Sequence, residues 1–251
     1  MRFISIVSKI LITFIMLILH FGCSDPVEYT DEDTTPTTTT TTGMLRFIQS
    51  ASTVENLVLD YRDLDTDSYE PFLTSTKYGS QYGYYNFRTG KREFAAFEPN
   101  TSLIIAKGSF ELEEDKKYSI IAYDYEATIN PGFMILEDTL ATADSTVSFV
   151  RFLHLGSDVD TIAIENMNNA ETLVELAREE HSSYFNLPAQ TYSFVVRSKS
   201  PEQTLLNNVW VTFLSGVTYT VIISGSINGM TPVDLNMNIL QDVSIRYITV
   251  D

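Results

Sequence analysis

Residues 45–60, LRFIQSASTVENLVLD, lie over residues 150–165, VRFLHLGSDVDTIAIE, without a gap. Arg46/Arg151, Phe47/Phe152, Ser52/Ser157 and Val54/Val159 are identical. Ile48/Leu153, Glu55/Asp160, Leu57/Ile162 and Asp60/Glu165 keep their chemical type. The correspondence resumes downstream in the same order. Tyr85-Asn86-Phe87 lies over Phe185-Asn186-Leu187, residues 112–118 over 213–219, and Ile135–Asp138 over Ile239–Asp242. Self-similarity at one long period is the mark of a duplicated unit. The chain therefore reads as two similar domains, 44–141 and 147–251.

Each half is a series of short runs rich in Val, Ile, Phe, Tyr and Thr, punctuated by Gly, Pro, Asn and Asp. Examples are 44–50, 56–61, 84–87, 93–97, 102–106 and 117–123 in the first half, with 148–155, 161–165, 191–197, 208–213 and 218–224 in the second. Val233, Leu235, Met237 and Ile239 alternate with Asp234, Asn236 and Asn238, the period of a strand with one wet face. About seven short strands in about 100 residues predict an all-β fold of two tandem immunoglobulin-like β-sandwiches. Tyr118 and Tyr219 each open a strand after a turn, the placement of a tyrosine corner. Residues 170–180 fit either a helix, through Leu173, Leu176 and Ala177, or a loop and strand.

Arg46 and Arg151 sit inside apolar strands, where a charge needs a partner. A hairpin centred near Thr53 predicts Arg46 opposite Asp60, and Arg151 opposite Glu165, as structural cross-strand ion pairs.

Outward from the repeats, residues 25–43 have no hydrophobic period. Asp31-Glu32-Asp33 leads into a threonine run, Thr37 to Thr42. Such a segment has nothing to bury, so 23–43 reads as a disordered Thr-rich linker. Its early acids resemble the export signal of surface lipoproteins, and Asp33-Thr34-Thr35 resembles a bacterial O-glycosylation site. Residues 1–22 carry Arg2 and Lys9, no acid, and a short apolar run from Ile10 to Phe21, which is the pattern of a signal peptide. Gly22-Cys23 at its end resembles the lipidation site of a bacterial lipoprotein. Cys23 is the chain's one cysteine, so it has no disulfide partner within the chain. The expected product is a lipoprotein of the outer membrane of a Gram-negative bacterium, held by lipid at Cys23 and either periplasmic or on the cell surface.

Composition narrows the function classes. The chain has 251 residues, with 16 basic against 33 acidic side chains and a net charge of −17. Removing Arg2 and Lys9 with the signal peptide gives 14 − 33 = −19. Such a surface has no means of releasing counterions from phosphates, so nucleic acid is not an expected partner. At 44% apolar and 12% aromatic the chain has enough to build cores.

The run Val150-Arg151-Phe152-Leu153-His154-Leu155-Gly156-Ser157-Asp158 resembles the opening motif of the domain of unknown function 4397 family. Ile135–Asp138 resembles that family's lead-in to its next copy. Residues 183–192 and 214–221 resemble two further segments of it. Gln49 stands where the family has histidine, and Gln190 where it has glycine. The resemblance implies tandem immunoglobulin-like sandwiches in an exported bacterial protein, and implies no catalytic residues.

Chemistry-bearing clusters are few. His154, Ser157 and Asp158 fall within five residues, too close along one strand and turn to form a triad. Asp63, Asp65 and Asp67 alternate, but Ser68 and Thr74 stand where an EF-hand needs Gly and Glu, so they read as a solvated acidic turn. No metal and no cofactor is expected. Tyr78, Tyr82, Tyr84 and Tyr85 cluster among Gly79 and Gly83. Rings of this kind offer stacking area at low entropic cost, so Tyr78, Tyr82 and Tyr84 are candidate ligand-binding residues, with core packing as the ordinary reading. The expectation for the whole chain is a non-catalytic envelope protein presenting two domains for adhesion, ligand binding or assembly, with glycan or envelope proteins as partners. The alternative is a hydrolase or binding accessory of a carbohydrate-uptake system.

Overall fold

A computed structural model describes residues 41–101, 103–125, 131–139, 146–229 and 231–242. Among these residues every regular element is a strand. In the first half they are β1 (Thr42–Ser50), β2 (Asn56–Asp63), β3 (Glu70–Lys77), β4 (Gln81–Arg88), β5 (Gly90–Phe97), β6 (Ile104–Leu112), β7 (Lys117–Asp124) and β8 (Pro131–Glu137). In the second they are β9 (Val147–Gly156), β10 (Thr161–Asn166), β11 (Glu171–Ala177), β12 (Phe185–Pro188), β13 (Thr191–Lys199), β14 (Glu202–Thr212), β15 (Thr218–Gly225) and β16 (Asn236–Gln241).

The topology repeats as the sequence does. The first half forms sheets β4-β1-β7-β8 and β3-β2-β5-β6, and the second forms β12-β9-β15-β16 and β11-β10-β13-β14. Adding eight to every label of the first pair gives the second. In each half the opening strand runs parallel to the seventh: Arg46 lies beside Ser119, and Arg151 beside Thr220. The opening strand of the second half, β9, begins at Val147, and β1 begins at Thr42, two residues inside the expected linker. Residues 170–180 resolve to a strand and turn, with Ile162 to Asn166 pairing Leu176 to Glu171. The alternating run from Val233 is a strand only from Asn236. Before it, Leu235 fills the second core.

Among the described residues the buried apolar side chains form three cores. Leu45, Phe47, Leu57, Phe87, Phe94 and Ile120 fill the first sandwich, and Val150, Phe152, Ile164, Phe194, Val221 and Ile223 fill the second. The third core is Ile48, Ile121, Tyr123 and Leu136 from the first half with Leu153, Leu155, Ile222 and Leu240 from the second. It follows from the period of two. In β1, Leu45 and Phe47 face one way and Arg46 and Ile48 the other. In β15, Tyr219, Val221 and Ile223 face the second core, while Thr220 and Ile222 face the third. Sheets β4-β1-β7-β8 and β12-β9-β15-β16 therefore pack back to back. Strands buried on both faces carry apolar residues on both faces rather than alternating with polar ones, as 150–155 and 219–223 do apart from Arg151, His154 and Thr220.

Candidate functional site

Arg151 and Thr220 from those runs, with Arg46 of β1, converge in the third core. Arg46 and Arg151 are about 2% exposed. The ion pairs predicted with Asp60 and Glu165 do not form. β1 and β2 belong to opposite sheets of one sandwich, as do β9 and β10, so their side chains never meet across a ladder. Asp60 is partly buried, and burial raises its carboxyl above the usual range against a hydrogen bond from the Phe72 backbone. Glu165 pairs with Arg197 at 3.0 Å instead.

Each arginine reaches across to the other half. Arg46 Nη1 lies 2.6 Å from Asp242 Oδ1, and its Nη2 donates to Thr220 Oγ1 at 3.1 Å. Its Nε donates to Ser119 at 2.6 Å and lies 3.4 Å from Asp138. Arg151 pairs with Asp138 through Nη2 and donates to Thr220 through Nε at 3.1 Å and to the Glu137 carbonyl at 3.2 Å. Tyr84 lies under Arg46, with the ring centroid 5.4 Å away, and donates to Asp138 at 2.7 Å. Tyr184 lies under Arg151 at 4.7 Å and donates to Asp242 at 2.9 Å. Arginine, tyrosine, hydroxyl and aspartate thus appear once in each half, in a self-complementary contact with the logic of a two-fold interface.

The cluster holds two positive and two negative charges and no net charge. Burial works against the Arg46 cation, but Asp242 and Asp138 outweigh it and hold its pKa above the ordinary value. Burial pushes the Tyr84 and Tyr184 phenols up as well, so both stay protonated as donors. Asp138, Asp242 and Tyr184 were not singled out from the sequence. The signal was present in the repeat itself: the segments that align end on Asp138 and Asp242, and each aligned Tyr85/Phe185 is preceded by a tyrosine.

A cleft opens beside this cluster. β1 and β4 pair with a register shift: Leu45 faces Tyr85 and Phe47 faces Tyr82, so Gly83 and Tyr84 together oppose Arg46. Such a bulge bends the strand and re-aims its side chains. Here it turns Tyr84 onto Arg46 and leaves a cavity of about 290 Å³ between β4 and β16. Arg46, Gln81, Tyr84, Gln241 and Asp242 line it, with the backbone of the bulged strand, while the rings of Tyr82 and Tyr85 pack into the first core against Phe47 and Phe72.

The three candidate tyrosines therefore divide. Tyr84 is buried and committed to Asp138. Tyr82 packs its ring against the first core, its hydroxyl donating to the Ser75 carbonyl at 3.2 Å and accepting from the Lys77 N–H at 3.3 Å. Tyr78 bridges the halves, its hydroxyl 3.0 Å from Ser224 Oγ and accepting from Asn236 Nδ2 at 2.9 Å. At the expected corners, Leu214 N–H donates to the Tyr219 hydroxyl at 3.0 Å, and the Tyr118 phenol is hydrogen-bonded to the Glu113 backbone, five residues upstream in both halves. Cys23 lies outside the described residues.

His154 is fully buried and paired on both nitrogens. Nε2 donates to the Val159 carbonyl at 2.9 Å, which leaves Nδ1 to accept from Gly156 N–H at 3.3 Å. Burial lowers its pKa to about 4. Asp63 of the acidic turn binds Arg92 at 2.9 Å.

The family model described as a domain of unknown function, DUF4397, matches residues 46–165 and 148–241. The two matches overlap where β9 and β10 open the second half. No curated protein matches the chain. Among solved structures, the chain is similar to the Bacillus anthracis TIE protein at 11% identity and a TM-score of 0.23, over 78% of this chain and 34% of that one. It is similar to a candidate cell adhesion protein from Bacteroides uniformis at 10% identity and a TM-score of 0.21, over 80% and 99%. A candidate polysaccharide binding protein from Bacteroides thetaiotaomicron is matched at 10% and 0.20, over 79% and 98%. The chain spans about a third of the TIE protein's length. At these scores none of the three likenesses carries an argument about function.

Proposed function

The chain belongs to the DUF4397 family, and from that premise we propose a non-catalytic, lipid-anchored envelope protein that presents a rigid double sandwich for ligand binding or adhesion. The observation that carries this reading is the commitment of its repeated polar side chains. Arg46, Arg151, Asp138 and Asp242 neutralise one another in the third core, and both nitrogens of His154 are spent on backbone bonds. Side chains so engaged hold a scaffold rigid rather than moving protons at a reacting bond. Cys23, behind the apolar run Ile10–Phe21, supplies the lipid attachment, and the threonine-rich segment supplies reach from the membrane, either within the periplasm or at the cell surface of a Gram-negative bacterium.

Detergent partitioning tests the anchor: the wild type enters the detergent phase and Cys23→Ala moves to the aqueous phase. A Cys23→Ala protein that stays membrane-bound overturns the anchor. Turnover of any glycosidic, ester or peptide substrate by the purified protein overturns the non-catalytic reading.

A further inference from the structure

Trp210 is the chain's one tryptophan, and it is 64% exposed. It lies on β14, an edge strand of the sheet β11-β10-β13-β14. Val209 and Val211 on either side of it pack into the second core, so the indole stands on the outer face of that sheet. Among the described residues its side chain has no hydrogen-bond or ring partner. Tryptophan is highly buried on average, and this one is held out to solvent.

The side chains around it are short, polar and uncharged. Ser193 faces Trp210 across the ladder, and Thr191 faces Thr212. Phe194 faces Val209 and Val196 faces Leu206, so Asn207 and Asn208 together oppose Val195. This bulge holds Asn208 at a φ of 58°. Ser193 Oγ donates to Asn208 Oδ1 at 2.9 Å, which fixes the amide on the indole's side of the sheet. Both N–H donors of that amide are unused among the described residues. The Thr191 and Thr212 hydroxyls lie 2.9 Å apart, and the accepting one keeps its own proton to donate.

The first half carries charge at the same register positions. Glu93 lies between Arg62 and Ser109, as Ser193 lies between Met167 and Trp210. Lys107 faces Ala95 as Asn208 faces Val195. Arg62 and Lys107 approach the Glu93 carboxylate at 2.8 and 3.9 Å, so that face is closed by its own ion pairs. The second half has Met167, Ser193 and Asn208 in place of the three charges, and Trp210 in place of the serine.

These groups select a class of ligand. The charged pairs left on this face, Glu165–Arg197 and Glu175–Lys199, neutralise one another, and a net charge of −17 repels a polyanion. A protein hot spot is ringed by contacts that exclude water, which would strand the free Asn208 donors. A sugar ring has a C–H face that packs on an indole and hydroxyls at its rim that both donate and accept. Asn208 and Thr212 flank Trp210 at roughly 7 Å on either side along the strand, within reach of such a rim. The face is open at the edge strand, so it admits the interior of a long glycan as well as its end. We propose that this face of the second sandwich binds a neutral polysaccharide, with Trp210 as the stacking surface and Asn208, Thr191 and Thr212 as hydrogen-bonding groups. The proposal rests on the ligand-binding reading above and names its ligand class.

Because Trp210 is the chain's one tryptophan, its fluorescence reports on this face alone. The test titrates the full chain, in a detergent without a sugar headgroup, with dextran, mannan, laminarin and galactan, beside the anionic alginate and polygalacturonate. At least one neutral polysaccharide changes the emission saturably and retards the protein in affinity gels, and neither anionic one does. Trp210→Ala abolishes the retardation, and Trp210→Tyr retains part of it. Asn208→Gly, which keeps the left-handed backbone and removes the amide, weakens binding fivefold or more. The Trp210 variants melt with the wild type, since the ring packs on nothing inside. Retardation that survives Trp210→Ala, stronger binding of the anionic polysaccharides, or an emission that no polysaccharide changes overturns the site. Cleavage of a bound polysaccharide overturns the non-catalytic reading while leaving the site standing. Failure of every polysaccharide, with an envelope protein bound through Trp210, overturns the glycan assignment while leaving the ligand-binding reading standing.

Discussion

Gln49 and His154 occupy the same place in the two repeats and make the same two hydrogen bonds. Gln49 Oε1 accepts from the N–H two residues on, at Ala51, and its Nε2 approaches the carbonyl five residues on, at Val54 (3.0 and 3.4 Å). His154 Nδ1 accepts from Gly156, and Nε2 donates to Val159. A neutral imidazole and an amide each supply one donor and one acceptor at similar reach, so one replaces the other. The histidine here pins the turn after β9.

His154→Gln is therefore expected to fold normally and to change the pH dependence of stability. Burial lowers the His154 pKa from 6.5 to about 4 in the folded chain. Between those values the unfolded chain binds more protons, so stability falls as pH drops through that window. The loss at pH 4 is on the order of 3 kcal/mol. Urea denaturation at pH 7.5 and pH 4.5 checks it. The two proteins differ little at the higher pH, and the variant is the more stable at the lower.

Breaking the third-core cluster has unequal costs. Arg46 is the cation paired with Asp242, whereas Asp138 is shared by both arginines. Arg46→Met leaves a buried carboxylate without a cation among the described residues, and removing one member of such a pair costs about 3–5 kcal/mol. Arg151→Met leaves Asp138 with Arg46 and costs less. Adding Asp242→Leu to Arg46→Met recovers part of the loss, so the double variant is more stable than the sum of the singles by at least about 1 kcal/mol. Chemical denaturation of the four proteins measures the coupling.

How far the sequence leads is visible at these residues. Repeat, strand content and halves follow from local patterning, because apolar residues and turn residues mark strands wherever they pack. The partner of Arg46 does not. A hairpin between β1 and β2 was the local answer, but in a sandwich consecutive strands can cross to the other sheet, and here the true partner Asp242 is separated by most of the chain. The presence of apolar residues at both odd and even positions of 150–155 and 219–223 was the available sign that those strands are covered twice. Edge strand β11 was ambiguous for a related reason: one wet face and one packed face over seven residues fits either period. The cleft was invisible, since it needs a bulge opposite Arg46 and an edge from each half.

The loops above the two sandwiches carry their aspartates on opposite sides. In the first half Asp124, at the end of β7, accepts from the N–H and hydroxyl of Ser52, both at 2.7 Å, and from those of Thr53 at 3.0 and 2.5 Å. In the second, Asp158 follows β9 and accepts from Ile227 and Asn228 N–H at 2.8–3.1 Å. Asp124 is buried, so Asp124→Ala strands two backbone donors and two hydroxyls and costs about 2–4 kcal/mol. The donors left by Asp158→Ala are exposed and reach water, so that change costs about 1 kcal/mol or less. Thermal denaturation of the two variants ranks them.

The third core decides whether the repeats are independent. Ile48, Ile121, Leu153 and Ile222 are each 1% exposed or less, and all four belong to sheets whose other face already covers a sandwich core. A half on its own would present these side chains, and the charges of Arg46 or Arg151, to water as one contiguous patch. That is a large loss set against the marginal stability of a domain of about 100 residues, on the order of 5–15 kcal/mol. The chain is expected to unfold in one cooperative transition, with the amides of β1, β7, β9 and β15 exchanging at a common free energy. Ile222→Asp places a charge at the centre of this core without touching either sandwich interior, and should separate the transition into two. Two transitions in the wild type would mean that the shared core couples the repeats less strongly than each repeat is held by its own.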